Sequence, residues 1–287
     1  MSEDVSAISV FLMVAITIIL AAVIGLMILL WPKKSIAPEA SSIGQYFTPS
    51  VTITPQQSGQ IVAAKSEIAK ASVFMYHHIG PLPEKADTIR KGLTVSSEEF
   101  ESQVKYLTEN GYKMMSLEKF DELRSNSQIP DKLAILTFDD GYDDNFVYAL
   151  PILKKYNATG TFFIISSKIG KTEYMNEDQI KALVSAGNEI GSHTVNHLEL
   201  DKLKGQSLEK EIAQSKADLE KVIGRPIISF CYPAGKYNDE TVAKAKEVGY
   251  KYAVTTRSST GAIDPNSLFE IPRYRISAGR NIEVLLK

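Results

Sequence analysis

Strands and helices alternate through most of this chain, which predicts an α/β domain on a parallel sheet, preceded by one transmembrane helix. From residue 72 onward, short runs rich in branched and aromatic residues alternate with segments of helical period over about two hundred residues, as in stacked βα units. His77, Asp139, His193 and Tyr232 with Pro233 each fall at or directly after the end of a predicted strand. That is the edge where parallel α/β folds gather their chemistry. Periodicity alone leaves the sheet open or closed into a barrel, and no internal repeat is present.

The chain has 287 residues, enough for one sizeable domain with appendages, and it divides into an anchor (1–31), a tether (32–70) and a globular domain (71–287). Residues 8–31 carry no charge and are rich in Ile, Leu, Val and Ala, long enough to span the roughly 30 Å of a bilayer's hydrocarbon core. A cleaved signal peptide has a shorter apolar core, roughly 7–15 residues, behind a basic segment that this chain lacks. Trp31 fits an interfacial anchor, and Lys33 and Lys34 mark the end of the span. Residues 32–70 contain Ser41-Ser42, Thr48-Pro49-Ser50 and Thr54-Pro55 with little apolar period, the composition of a solvated tether, and 60–70 is a candidate short helix. A net charge of −2 offers no basic excess for nucleic acid. The single cysteine, Cys231, excludes an intrachain disulfide framework.

The domain opens with a strand over 72–76. Ser96 then starts a helix with a capping box to Glu99, places Phe100, Val104 and Leu107 on one face, and stops at Gly111. A strand at 113–115 and a short helix over 116–123 lead to the apolar strand 133–138. A helix over 145–156, kinked by Pro151, precedes a strand at 161–165. A helix over 176–186 and a strand over 189–192 follow. Residues 207–223 form a long helix with Leu208, Ile212, Leu219 and Val222 inward and Gly224 beyond its end. A strand at 227–232, a helix at 239–248, strands at 252–255 and 271–275, and a last helix at 281–286 complete the pattern. Segments 80–94 and 257–266 read as loops that would choose a substrate.

The strand 133–138 ends in Asp139-Asp140-Gly141. Two adjacent carboxylates repel unless a cation or a proton separates their roles, although Asp and Gly also make ordinary acidic turns. The chain has four histidines, in two clusters: His77 with His78, and His193 with His197. A His-x-x-x-His spacing puts two imidazoles on one side of a helical turn or tight loop, though a surface helix can also carry it. With one aspartate the pair makes a three-ligand site with an open position for water, as hydrolytic zinc sites require.

Thr137-Phe138-Asp139-Asp140-Gly141 and His193-Thr194-Val195-Asn196-His197 resemble the first two motifs of the polysaccharide deacetylases, the NodB-like carbohydrate esterases of family 4. The resemblance covers the chain from residue 72 to its end. It implies an irregular (β/α) barrel of about seven strands. It also implies that Asp140, His193 and His197 hold a divalent metal, most simply Zn²⁺ with Ni²⁺ or Co²⁺ also fitting the donors, and that Asp139 is the general base. The family's usual C-terminal histidine is absent. Met75-Tyr76-His77-His78 instead resembles the N-terminal motif of the PgaB and IcaB branch, which implies His77 as general acid with His78 a neighbour. Phe230-Cys231-Tyr232-Pro233-Ala234-Gly235 resembles the third motif with two departures: Cys231 stands where an arginine orients the base, and Ala234 where an aromatic residue stands. The resemblance implies an oxyanion and substrate-binding role for Tyr232, Pro233 and the Ala234 N–H. Arg273 is a candidate replacement guanidinium, and an ordinary surface ion pair is its plain alternative. Separately, residues 5–9 and 12–17 resemble the N-terminal segment of archaeal pilin-like proteins.

The expectation is a membrane-tethered monomer: a hydrolase removing N-acetyl groups from an acetylated amino-sugar polysaccharide such as poly-N-acetylglucosamine. Peptidoglycan or chitooligosaccharide deacetylation, O-acetyl ester hydrolysis, and glycan binding by a catalytically weak surface protein are the alternatives. Glu3 and Asp4 before the span and Lys33 and Lys34 after it would place the domain inside the cell. A surface-glycan enzyme belongs outside, and the extracellular placement is the one expected.

Overall fold

The computed structural model describes residues 69–286 apart from residue 260. The apolar span and residues 32–68 of the tether lie outside the described residues, among which no helix is long and apolar enough to cross a membrane. The strands, in chain order, are β1 (Ala69–Lys70), β2 (Ser72–Tyr76), β3 (His78–Ile79), β4 (Thr94–Val95), β5 (Lys113–Met115) and β6 (Leu133–Phe138). Then come β7 (Thr161–Ile164), β8 (Glu189–Ser192), β9 (Ser229–Cys231), β10 (Tyr252–Val254), β11 (Ala262–Ile263) and β12 (Tyr274–Arg275).

Eight strands form one parallel sheet in the order β10-β9-β8-β7-β6-β2-β12, with β5 pairing β6 beside that path. The sheet curls, and segment 271–275 meets both of its edges: Ile271 bridges Val254 of β10, and β12 pairs with β2. The expected single strand over 271–275 is thus split, with Arg273 between its two pairings. Its backbone bonds to Arg257 and Ser259 instead of to the sheet. Ala69 and Lys70, at the end of the expected tether, pair antiparallel with β11.

Alternation along the strands makes two cores. One face of the sheet packs Phe74, Tyr76, Leu136 and Phe138 against Phe100, Val104 and Leu107 of the helix Ser97–Glu109. The inner face buries Val73, Ile135, Phe163, Cys231, Val254 and Ile271 together. A Cβ at Gly191 would lie 2.5 Å from the Phe163 ring and 2.5 Å from Ser229 Oγ, so only glycine lets β8 approach its neighbours this closely.

Two helices differ from their periodicity. The helix expected over 145–156 is a π turn, Asn145–Ala149, running into an α-helix, Leu150–Lys155. Pro151 has no N–H to give to the preceding turn and its ring crowds that turn's carbonyl, which the wider turn relieves. The long helix starts at Gly205 and contains a second π turn, Lys210–Gln214, before Ser215–Ile223 ends at Gly224 with φ +70°. Within 80–94, expected as a loop, Asp87 caps a helix, Thr88–Leu93, that feeds β4.

Glu189 opens β8 on the inner face and is 2 % exposed. One carboxyl oxygen accepts from the Glu118 N–H at 2.8 Å and from the Thr161 hydroxyl at 2.8 Å. The other has no partner, and the hydroxyls of Ser229 and Tyr252 are buried without partners as well. The nearby Glu118 carboxylate is paired with Arg225 and Asp121 with Arg124, leaving no cation for Glu189 among the described residues. Burial raises the Glu189 carboxyl to about 7. The folded state therefore binds this proton where the unfolded chain has released it, so the group's contribution to stability is present at low pH and is lost as pH rises through about 7. Thermal unfolding between about pH 5 and pH 8 should show the wild type losing stability relative to Glu189→Gln; parallel profiles would contradict the assignment.

Candidate active site

The carboxyl end of β6 turns sharply. Asp139 still follows the strand, its N–H donating to Tyr76 O at 2.9 Å. Asp140 and Gly141 then take φ of +75° and +83°. A left-handed non-glycine residue costs about 1–2 kcal/mol, and here it sends two adjacent carboxylates to different partners.

Asp139 meets Arg273. The guanidinium donates to Oδ1 and Oδ2 at 2.7 Å each, to Thr137 Oγ1 at 2.8 Å and, through Nε, to Thr255 O at 2.9 Å. Arg273 is 1 % exposed, so the alternative of a surface ion pair is excluded by its burial. Burial alone would raise the Asp139 carboxyl, and the charge and hydrogen bonds of Arg273 override it, holding the group well below the usual carboxylate range. Cys231 Sγ lies 3.3 Å from the guanidinium and 3.5 Å from Asp139 Oδ2. A small thiol at this position leaves the space that Arg273 enters from the other side.

His77 Nε2 stands 4.0 Å from Asp139 Oδ2, and its Nδ1 is buried without a partner. Burial lowers this imidazole to about 4, against the opposing pull of Asp139 and Asp140. Asn145, the first residue of the π turn behind the two aspartates, donates from its side chain to His77 O at 2.7 Å. His78 points elsewhere: its Nδ1 is 2.7 Å from Asp144 Oδ2 and its ring stacks on Tyr142 at 3.5 Å.

Asp140 meets the other two histidines. Its Oδ1 is 3.4 Å from His193 Nε2 and 3.5 Å from His197 Nε2. His193 Nδ1 donates to Cys231 O at 2.8 Å, which leaves Nε2 as the nitrogen facing Asp140. Against burial, which lowers it, Cys231 and the Asp140 carboxylate hold this imidazole's proton affinity well above the usual histidine range, so a cation bound at Nε2 would displace a proton. Donors about 2.0–2.1 Å from one centre at tetrahedral angles lie about 3.3 Å apart, so these spacings fit a zinc-sized ion. Asp139, His193 and Cys231 form a second cluster, but both Asp139 oxygens already accept from Arg273, whose positive charge also borders the thiol. Asp140, His193 and His197 are the set that could hold a cation.

Of the third-motif residues, Ala234 is exposed with φ +52°, following β9 at the same end of the sheet. Tyr232 and Pro233 are buried, and the Tyr232 hydroxyl donates to Phe269 O at 3.0 Å. These two shape the turn under Ala234, and the Tyr232 side chain is fully buried, so its ring supports the turn from within. Sequence reasoning missed Asn145 and Glu211. The signal for Glu211 was an acidic residue three positions after Leu208 and one before Ile212, on the buried stripe of its helix.

Comparison with known proteins agrees with this geometry. The sequence pattern of the family described as polysaccharide deacetylase matches residues 126–253. The chain is 34% identical over 212 residues to YxkH of Bacillus subtilis (strain 168), a protein assigned to the polysaccharide deacetylases, covering 74% of this chain and 73% of YxkH. It is 30% identical over 202 residues to the poly-beta-1,6-N-acetyl-D-glucosamine N-deacetylase of Staphylococcus aureus (strain MSSA476), covering 65% of this chain and 69% of that protein. The solved structure of the Streptococcus pyogenes deacetylase PplD in complex with acetate superposes with a TM-score of 0.71 at 32% identity, over 77% of this chain and 98% of that one. IcaB from Ammonifex degensii, at 23% identity and a TM-score of 0.62, shares the fold over 73% of this chain and 92% of its own. With a curled parallel sheet, a paired acid at the end of β6 and relatives of this similarity and coverage, the chain belongs to the polysaccharide deacetylases, a family of hydrolases.

Proposed function

We propose that this domain is a metal-dependent N-deacetylase acting on a polymer of N-acetylhexosamine of the poly-N-acetylglucosamine class. The observation that carries the proposal is the trio Asp140, His193 and His197 at metal-ligand spacing beside an ionised, arginine-held Asp139. The likeness to the Staphylococcus aureus enzyme supports the substrate class. The oxygen and nitrogen donors suit Zn²⁺, with Ni²⁺ and Co²⁺ as fitting substitutes.

Asp140, His193 and His197 would hold a divalent ion, which when bound would supply Lewis acidity toward the acetamide carbonyl and the attacking water. Asp139 accepts the water's proton as the water oxygen bonds to the carbonyl carbon. Neutral His77, its Nε2 4.0 Å from Asp139 Oδ2, is the next acceptor of that proton. His77 then delivers the proton to the sugar nitrogen as the carbon–nitrogen bond breaks. Water and amide become acetate and amine. The Ala234 N–H, on the exposed turn after β9, would donate to the developing oxyanion. Residues 8–31 and the polar tether support a membrane-anchored domain, and a surface polymer as substrate supports placing it outside the cell.

Two experiments test this reading. Acetate release from poly-β-1,6-N-acetylglucosamine should fall by about 10²-fold or more in Asp139→Asn, and should vanish with a chelator and return with Zn²⁺; release that survives both treatments would overturn it. Removing one partner of the buried ion pair should cost about 3–5 kcal/mol in denaturant unfolding of Arg273→Met, because Asp139 is left charged and buried. Arg273→Met combined with Asp139→Asn should recover part of that loss, and a strictly additive double variant would show that the two residues do not act as a pair.

A further inference from the structure

The segment from His193 to His197 is bent against its own preferences. Thr194 and His197 have φ of +64° and +59°, two left-handed non-glycine residues within five positions. The His197 side chain is 37 % exposed, so packing alone does not hold it. Part of the restraint is local: His197 N–H donates to Thr194 Oγ1 at 2.9 Å, and the carbonyls of Thr194 and Val195 accept from Ser166 and Ser167. The rest comes from one carboxylate. Glu211 Oε2 accepts from the Asn196 N–H at 2.8 Å and Oε1 accepts from Asn196 Nδ2 at 2.7 Å. Glu211 is 3 % exposed, forms no ion pair among the described residues, and sits in the π turn Lys210–Gln214. A carboxylate without a cation is costly to bury, and π turns within α-helices recur at functional sites.

We infer that Glu211 is a positioning residue for the metal site: gripping Asn196 by its main chain and its side chain, it fixes the bend that brings His197 Nε2 beside His193 and Asp140. This rests on the metal-dependent reading above. Asn145 does the corresponding work for His77 from the other π turn, through its bond to the His77 carbonyl. A glutamine at position 211 keeps the shape but puts an N–H₂ group where one of the two Asn196 donors needs an acceptor.

The test is titration of the full-length protein, stripped of metal, with Zn²⁺ against a competing chelator and with Co²⁺ followed by its visible absorption. Glu211→Gln should weaken metal binding about 10-fold or more and alter the Co²⁺ spectrum, as loss of an outer-shell partner does, while Glu211→Asp recovers part of the affinity. Asn196→Ala, an exposed site that keeps the main-chain bond, should give a smaller loss and guards against a Glu211 variant that fails to fold. Wild-type affinity and spectrum in both Glu211→Gln and Asn196→Ala would overturn the inference. A wild-type protein that binds no metal would instead defeat the reading beneath it.

Discussion

The buried pair of Arg273 and Asp139 ties the architecture to the chemistry. Two charges removed from water cost several kcal/mol each unless their hydrogen bonds are met, and here the guanidinium reaches Asp139 twice, Thr137 and Thr255. Those partners lie at the ends of β6 and β10, so one side chain cross-links the mouth of the sheet. The backbone that carries it is the same segment that touches both sheet edges, at Ile271 and at β12. Closing the sheet and holding Asp139 ionised are therefore one structural event.

The second constraint is the left-handed turn at Asp140. On a regular strand, neighbouring residues already face opposite sides, but both acids would still project from the strand. The turn at Asp140 and Gly141 swings the second carboxylate over to the β8 loop, leaving the first inside with Arg273. Each acid then has its own field. Asp139 is kept ionised by a fixed cation, whereas Asp140 faces the Nε2 atoms of two imidazoles at 3.4 and 3.5 Å.

Much of this was legible in the sequence. The acid-bearing strand was placed over 133–138 and β8 over 189–192, the bounds the structure gives, because each is a short apolar or glycine-containing run ended by polar residues. The histidine and aspartate motifs were readable because their spacing is local. Arg273 was harder, since its partner lies 134 residues away and no local pattern marks it; the missing arginine at Cys231 was the clue that something must replace it. Asn145 carried no motif and Glu211 only its place on a buried helical stripe, and the π turns on which both sit are not anticipated by helical periodicity. The helix Thr88–Leu93 was missed because it buries no residue and so shows no apolar stripe.

The Arg273 guanidinium is bonded to Asp139 and not to the Asp140, His193 and His197 trio, so on the proposed mechanism it serves the base and not the metal. The most direct measurement is steady-state acetate release by Arg273→Lys with bound metal quantified in the same samples. Lysine keeps the charge but cannot donate to both carboxylate oxygens from a planar fork. In Arg273→Lys, kcat should fall by about 10²-fold while metal content stays at the wild-type level. Full activity in Arg273→Lys, or a loss of activity that follows loss of metal, would contradict it.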